Sequence, residues 1–123
     1  MKNMFNNAAT GSSTTLNLGD KFDTSHVTDM SGVFRSCSSL TGLVLGNLDT
    51  SQVRNMRGMF SGCSGLTSLD LSSFDTSQVT DMSYMFSYSK KLTNIYVGSG
   101  WQEASSHSGM FSGCGTDHVT LKQ

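Results

Sequence analysis

The chain has 123 residues, of which 14% are charged, and a formal net charge of −1. It therefore carries no field that would gather nucleic acid or an anionic membrane surface. No run approaches the roughly 18 apolar residues of a membrane span, and the first twenty residues hold no apolar stretch of the signal-peptide kind.

In chain order, Met4 and Phe5 match the end of a phrase that recurs further on, and Leu16 to Leu18 ("LNL") match a strand. Phe5 and Phe34 are 29 residues apart, so about three extra residues fall in the loop from Ala8 to Thr15 and the chain begins mid-unit. The phrase itself follows three times: "FDTSHVTDMSGVF" (22–34), "LDTSQVRNMRGMF" (48–60) and "FDTSQVTDMSYMF" (74–86). Phe34, Phe60 and Phe86 recur at intervals of 26, with Phe111 following 25 later, and Val27, Val53 and Val79 keep step. Between phrases stand "CSSLTGLVL" from Cys37, "CSGLTSLDL" from Cys63 and "SKKLTNIYV" from Ser89. A fixed period of this length marks a solenoid or array, in which one unit cannot bury its apolar face alone.

Leu43 and Leu45, Leu69 and Leu71, and Ile95 and Val97 alternate at period two, which predicts one short parallel strand per unit. Val79, Met82 and Phe86, like Val53, Met56 and Phe60, have the spacing of a short helix or 3₁₀ turn burying one stripe. Asp-Thr-Ser between the halves predicts a cap on the first amides of that turn. Gly62 and Gly113 stand where a left-handed terminal residue is needed, a slot filled by Ser36 and Tyr88 in other units. "GWQEASSHSGMFSGC" lacks the Asp-Thr-Ser turn, and "HVTL" (118–121) supplies a last strand, the fifth. The expected fold class is an α/β repeat in one domain over 1–123: a partial repeat and loop over 1–15, regular repeats over 16–97, and a divergent repeat or cap over 98–123.

Alternation turns Asn17, Val44, Asp70 and Tyr96 outward, flanked by Ser68 and Asn94, on the sheet's open face. These residues vary between units while the core does not, as on a scaffold that reads a partner through its surface; drift on an unused surface gives the same pattern. Trp101 is expected to cover the end of the core. Tyr84 and Tyr88 share the opposite side with Arg35, Arg54, Arg57, Lys90 and Lys91, a solvated basic scatter. Cys37, Cys63 and Cys114 occupy one repeat slot, read as buried free thiols, with a bridge between Cys37 and Cys63 left open. Asp23, Asp49 and Asp75 repel one another when stacked, and either turn amides and hydroxyls or calcium would hold them; caps are the preferred reading, with no metal and no cofactor. His26, His107 and His118 lie in unrelated positions with no histidine–carboxylate pairing suggested by spacing, so no catalytic residue is assigned and the chain is not read as an enzyme.

The LTxLxL strand, FDTSxVTxM turn and MFSGC ending together resemble the bacterial surface-protein repeat of about 26 residues, the BspA-like branch of leucine-rich repeats, also known as the domain-of-unknown-function 285 family. The resemblance runs from about Leu16 to Cys114 and includes "IYVGSGW" (95–101), similar to the family's way of leaving its last regular repeat. It implies a right-handed leucine-rich-repeat-like solenoid, part of a secreted or cell-surface bacterial protein. The implied role is adhesion-type, recognising a host or bacterial surface protein or glycan. A structural spacer in a longer surface protein and a stand-alone intracellular interaction or inhibitor protein are the other two readings. Neither nucleic acid nor membrane insertion is expected. Unpaired backbone at the end strands is to be covered by edge-to-edge self-association or by further repeats.

Overall fold

The computed structural model describes residues 14–17, 23–45 and 48–122. Five strands occur among them: β1 (Thr14–Asn17), β2 (Leu40–Val44), β3 (Ser68–Leu71), β4 (Asn94–Val97) and β5 (Thr120–Leu121). Each lies in the LTxLxL half of a unit or its terminal counterpart. Leu69 and Leu71 of β3 and Ile95 and Val97 of β4 are buried, whereas Ser68, Asp70 and Asn94 are exposed. The expected partial repeat and loop around Met4, Phe5 and Ala8 lie outside the described residues.

The strands pair in parallel, and between β3 and β4 the register is the sequence period. Ser68, Leu69, Asp70 and Leu71 of β3 face Asn94, Ile95, Tyr96 and Val97 of β4. At the end of the array Tyr96 faces Thr120 and Val97 faces Leu121. At its start β1 pairs with β2, with a slip between Thr14 and Thr15. The ladder is in two pieces, β1-β2 and β3-β4-β5. Before β3, a Cβ built on Gly65 would stand 2.8 Å from the carbonyl oxygens of both Leu40 and Ser38, and one on Gly115, before β5, would meet those of Leu92 and Lys90 as closely, so backbone presses on backbone between units. The units flanking the break are joined on the side away from the strands.

That other side corrects an expectation. No helix forms among the described residues, and the Val-Met-Met-Phe phrase is a succession of tight turns. Alternate amides bond within the phrase, Val33 to Met30, Arg35 to Gly32 and Cys37 to Phe34. The amides between them leave the unit: Met30, Gly32, Phe34 and Ser36 donate to the carbonyls of Asn55, Arg57, Met59 and Ser61 at 2.8–2.9 Å. Met56, Gly58, Phe60 and Gly62 donate in the same way to Asp81, Ser83, Met85 and Ser87. A helix would take those amides for its own i−4 carbonyls; here the neighbouring unit takes them, and left-handed residues at Gly32 and Ser36, and again at Gly58 and Gly62, turn the chain every fourth residue.

The core lies between strands and turns. Phe34, Phe60, Phe86 and Phe111 stack face to face with centroids 5.6–5.8 Å apart. Met30, Met56 and Met82, with Leu40, Leu45, Leu69 and Leu71, are fully or almost fully buried beside them. Trp101 packs against this core, half-buried.

Candidate binding face

Strand pairing sorts the candidate residues into two groups. Asn17 pairs in register with Val44, which is 46% exposed. Ser68 stands beside Asn94, and Asp70 beside Tyr96, which in turn faces Thr120. Register thus brings Asp70, Tyr96, Ser68 and Asn94 together, while the break between β2 and β3 separates them from Asn17 and Val44.

Lys122, absent from the candidates chosen on sequence, completes the second group. Its Nζ donates to Asp70 Oδ2 at 2.6 Å, and its amide donates to Val97. Asp70 Oδ1 also accepts the Ser72 amide at 3.0 Å. The bond from Lys122, then those from Ser72, bring the Asp70 carboxyl from an ordinary value of 3.8 down to about 2. The signal was in the sequence: Thr120 and Lys122 are two apart at the end of a strand phrase, and period two puts them on one face.

The acidic ladder is held by its own turns. Asp23, Asp49 and Asp75 each accept the amide of the serine two residues on, at 2.9–3.0 Å. Ser25 and Ser51 add their hydroxyls at 2.6 Å. These bonds lower the Asp49 carboxyl even though Asp23 and Asp75 push it up. The cap therefore closes an Asx turn, not a helix. Sequence reading missed a second series: Asp29, Asn55 and Asp81 each accept an amide two residues on, from Ser31, Arg57 and Ser83.

Threonine of Asp-Thr-Ser has a larger part than its place in the motif suggests. Thr24 Oγ1 donates to the carbonyl of Asp49 and accepts the Asp49 amide, both at 2.8 Å. Thr50 does the same to Asp75 at 2.9 Å, and Thr76 to Gln102. All three are buried, so each hydroxyl is a bolt between units.

The cysteine slot is a third such series. The three thiols are free, with Cys37 and Cys63 buried and Cys114 half-buried. Cys63 donates to the Phe34 carbonyl at 3.1 Å and Ser89, in the same slot, to that of Phe60 at 2.7 Å. Burial pushes the Cys63 thiol up to about 12.

On the turn side Tyr84 and Tyr88 are exposed, both with left-handed backbone, φ 58° and 61°. Arg57 belongs to no free scatter: its guanidinium lies 4.9 Å from the Tyr84 ring centroid and 3.9 Å from Asp81. Spacing suggests no histidine–carboxylate pairing, yet two are present. His107 lies 3.2 Å from Glu103 and His118 lies 3.0 Å from Asp117, pairs that turns create in exposed positions. No helix among the described residues is long and apolar enough to cross a membrane.

Copies of one 26-residue phrase, paired side by side in register and bolted by buried threonines, define a repeat domain with an open strand face. The chain belongs to the family described as Mycoplasma protein of unknown function, DUF285, which it matches over residues 1–122. No curated protein and no solved structure matches it.

Proposed function

We propose that the chain is a right-handed leucine-rich-repeat-like solenoid serving as a non-enzymatic binding module of a bacterial cell-surface or secreted protein. It recognises a protein or glycan through the strand face. One observation carries this reading: Ser68 with Asn94, and Asp70 with Tyr96 and Thr120, form in-register rows opposite a core of repeated leucines. Side-chain identity along those rows changes from unit to unit while the buried partners stay apolar, which is how a fixed scaffold carries a variable reading surface. Tyr96 supplies a rigid amphipathic ring, and Asp70 with Lys122 an exposed ion pair beside it.

The test begins with a screen of immobilised glycans and extracellular-matrix proteins, followed by affinity measurements with the double variant Asp70→Ala, Tyr96→Ala. Binding is expected to weaken at least about tenfold, the loss of one central contact. Unchanged affinity in a folded double variant removes the strand face from the reading.

A further inference from the structure

Tyr84 and Tyr88 stand four residues apart in one turn phrase, 40% and 62% exposed. Each occupies a left-handed position where the other phrases have glycine or serine: Gly32 and Ser36, Gly58 and Gly62, Gly109 and Gly113. A bulky residue is strained there, and this phrase bears the strain twice. Stacking of the units does not call for the rings, since the first phrase bonds to the second with only glycine and serine in both slots. Strain that the fold does not need, kept in a pair of exposed aromatic side chains, points to a surface with a role of its own. Both rings lean toward the last phrase: a Cβ built on Gly109 would fall 2.5 Å from Tyr84 Cε1, and one on Gly113 would fall 3.2 Å from Tyr88 Cδ1. Tyr84 holds the guanidinium of Arg57, whose side chain is 55% exposed, 4.9 Å from its centroid. Tyr88 makes no ring contact among the described residues, so its ring is open to a ligand. Lys90 and Lys91 follow it, both exposed. Of these three cations only Arg57 has a carboxylate partner among the described residues, Asp81 at 3.9 Å.

We propose that this turn face binds an acidic polysaccharide, one bearing carboxylate or sulfate groups. An aromatic face is negative and attracts the C–H hydrogens of a sugar ring, while Arg57, Lys90 and Lys91 meet the acidic groups. No cavity opens among the described residues, so a ligand must lie across the surface. Rings four residues apart, with one cation beside Tyr84 and two after Tyr88, suit a polymer better than a single sugar. Duplex DNA, with a charge about every 1.7 Å of its axis, asks for a broader basic field than three cations supply, and an acidic peptide side chain offers no ring of C–H bonds to lay on Tyr88. The surface is on the side away from the strands, so this proposal and recognition by the strand face stand or fall separately.

Calorimetric titration of the full 123-residue chain would use hyaluronan for carboxylate, dextran sulfate for sulfate and neutral dextran as the control. At least one charged polymer is expected to bind, more weakly as salt rises, and dextran not at all; the tighter of the two identifies the acidic group. Tyr84→Gly with Tyr88→Gly restores the residues that the second phrase has at these slots and relieves the backbone, so the fold is kept while affinity should drop at least about tenfold. Lys90→Gln with Lys91→Gln should weaken binding and flatten its salt dependence. Asp70→Ala with Tyr96→Ala, on the strand face, should bind the polymer as the native chain does. With no variant at all, the Tyr88 ring signals in the NMR spectrum should shift as polymer is added. Absence of binding by both charged polymers, equal binding of dextran or of duplex DNA, and unmoved Tyr88 signals would each overturn the proposal, as would full affinity in the tyrosine or lysine variant or its loss in the strand-face variant.

Discussion

Thr50 has its hydroxyl fully engaged: it donates to one backbone group of Asp75 and accepts from the other, with 1% of the residue exposed. Valine fills the same volume without either bond and strands a buried amide and a buried carbonyl in the next unit. Thr50→Val should therefore destabilise by about 2–4 kcal/mol, whereas Thr50→Ser, which keeps the hydroxyl, should cost about 1 kcal/mol for the lost methyl. Urea denaturation of the two variants checks both figures, and equal losses would show that the hydroxyl is idle. Asp70 gives a prediction in pH. Its folded value is depressed from 3.8 to about 2, so its contribution to stability is complete above pH 3.8 and is lost as pH falls through about 2. Replacing Lys122 by methionine removes the first of the causes, and an NMR titration of the Asp70 carboxyl should then move upward, toward the ordinary value. At this scale the sequence is only partly legible: the Asx turns follow from Asp and Ser two residues apart, but the threonine bolts join residues 25 or 26 apart and have no local signature.

Strands were legible and turns were not, for a physical reason. A leucine pair at period two has one common reading, and β3 and β4 realise it with buried and exposed residues alternating. Val-Met-Met-Phe at helical spacing buries the same stripe whether the amides bond within the unit or across to the next, and the choice is made by a neighbour 26 residues away. One signal did favour turns: "GMFSG" occurs at 58–62 and again at 109–113, and glycines four apart are poor in a helix but suit two left-handed residues. Gly58 and Gly109 then separate strain from crowding. Both have positive φ, but a Cβ at Gly58 meets nothing nearer than 3.9 Å, while at Gly109 it falls 2.5 Å from Tyr84 Cε1. Gly58→Ala should cost about 1–2 kcal/mol for the left-handed backbone alone. Gly109→Ala should cost more, and Tyr84→Ser in the same chain should recover the excess, a coupling of about 0.5–3 kcal/mol in a double-mutant cycle. Additive losses would mean that the ring swings aside without penalty.

For the whole molecule, the period was plain in the sequence and the grouping of the outward residues was not. Asp70 and Tyr96 meet because β3 and β4 share register, whereas Val44 is set apart by a break between β2 and β3 that no spacing announces. Equality of the copies has a further consequence. If stability is the sum of unit terms and nearest-neighbour interfaces, removing one whole period should leave a shorter molecule with every remaining contact type intact. Deleting residues 54–79, a stretch of 26, joins Val53 to Thr80 and restores the phrase Asp-Thr-Ser-Gln-Val-Thr-Asp-Met. Phe34 then meets Phe86, and the amides of Met30, Gly32, Phe34 and Ser36 meet the carbonyls of Asp81, Ser83, Met85 and Ser87, the acceptors already used by the unit removed. Deleting 54–81 instead takes two residues more and moves the turn amides out of step with those carbonyls. The first deletion should unfold cooperatively in urea with a smaller slope than the native chain, in proportion to the surface lost, and the second should show no cooperative transition. Equal behaviour of the two would mean that register between copies does not hold the fold together.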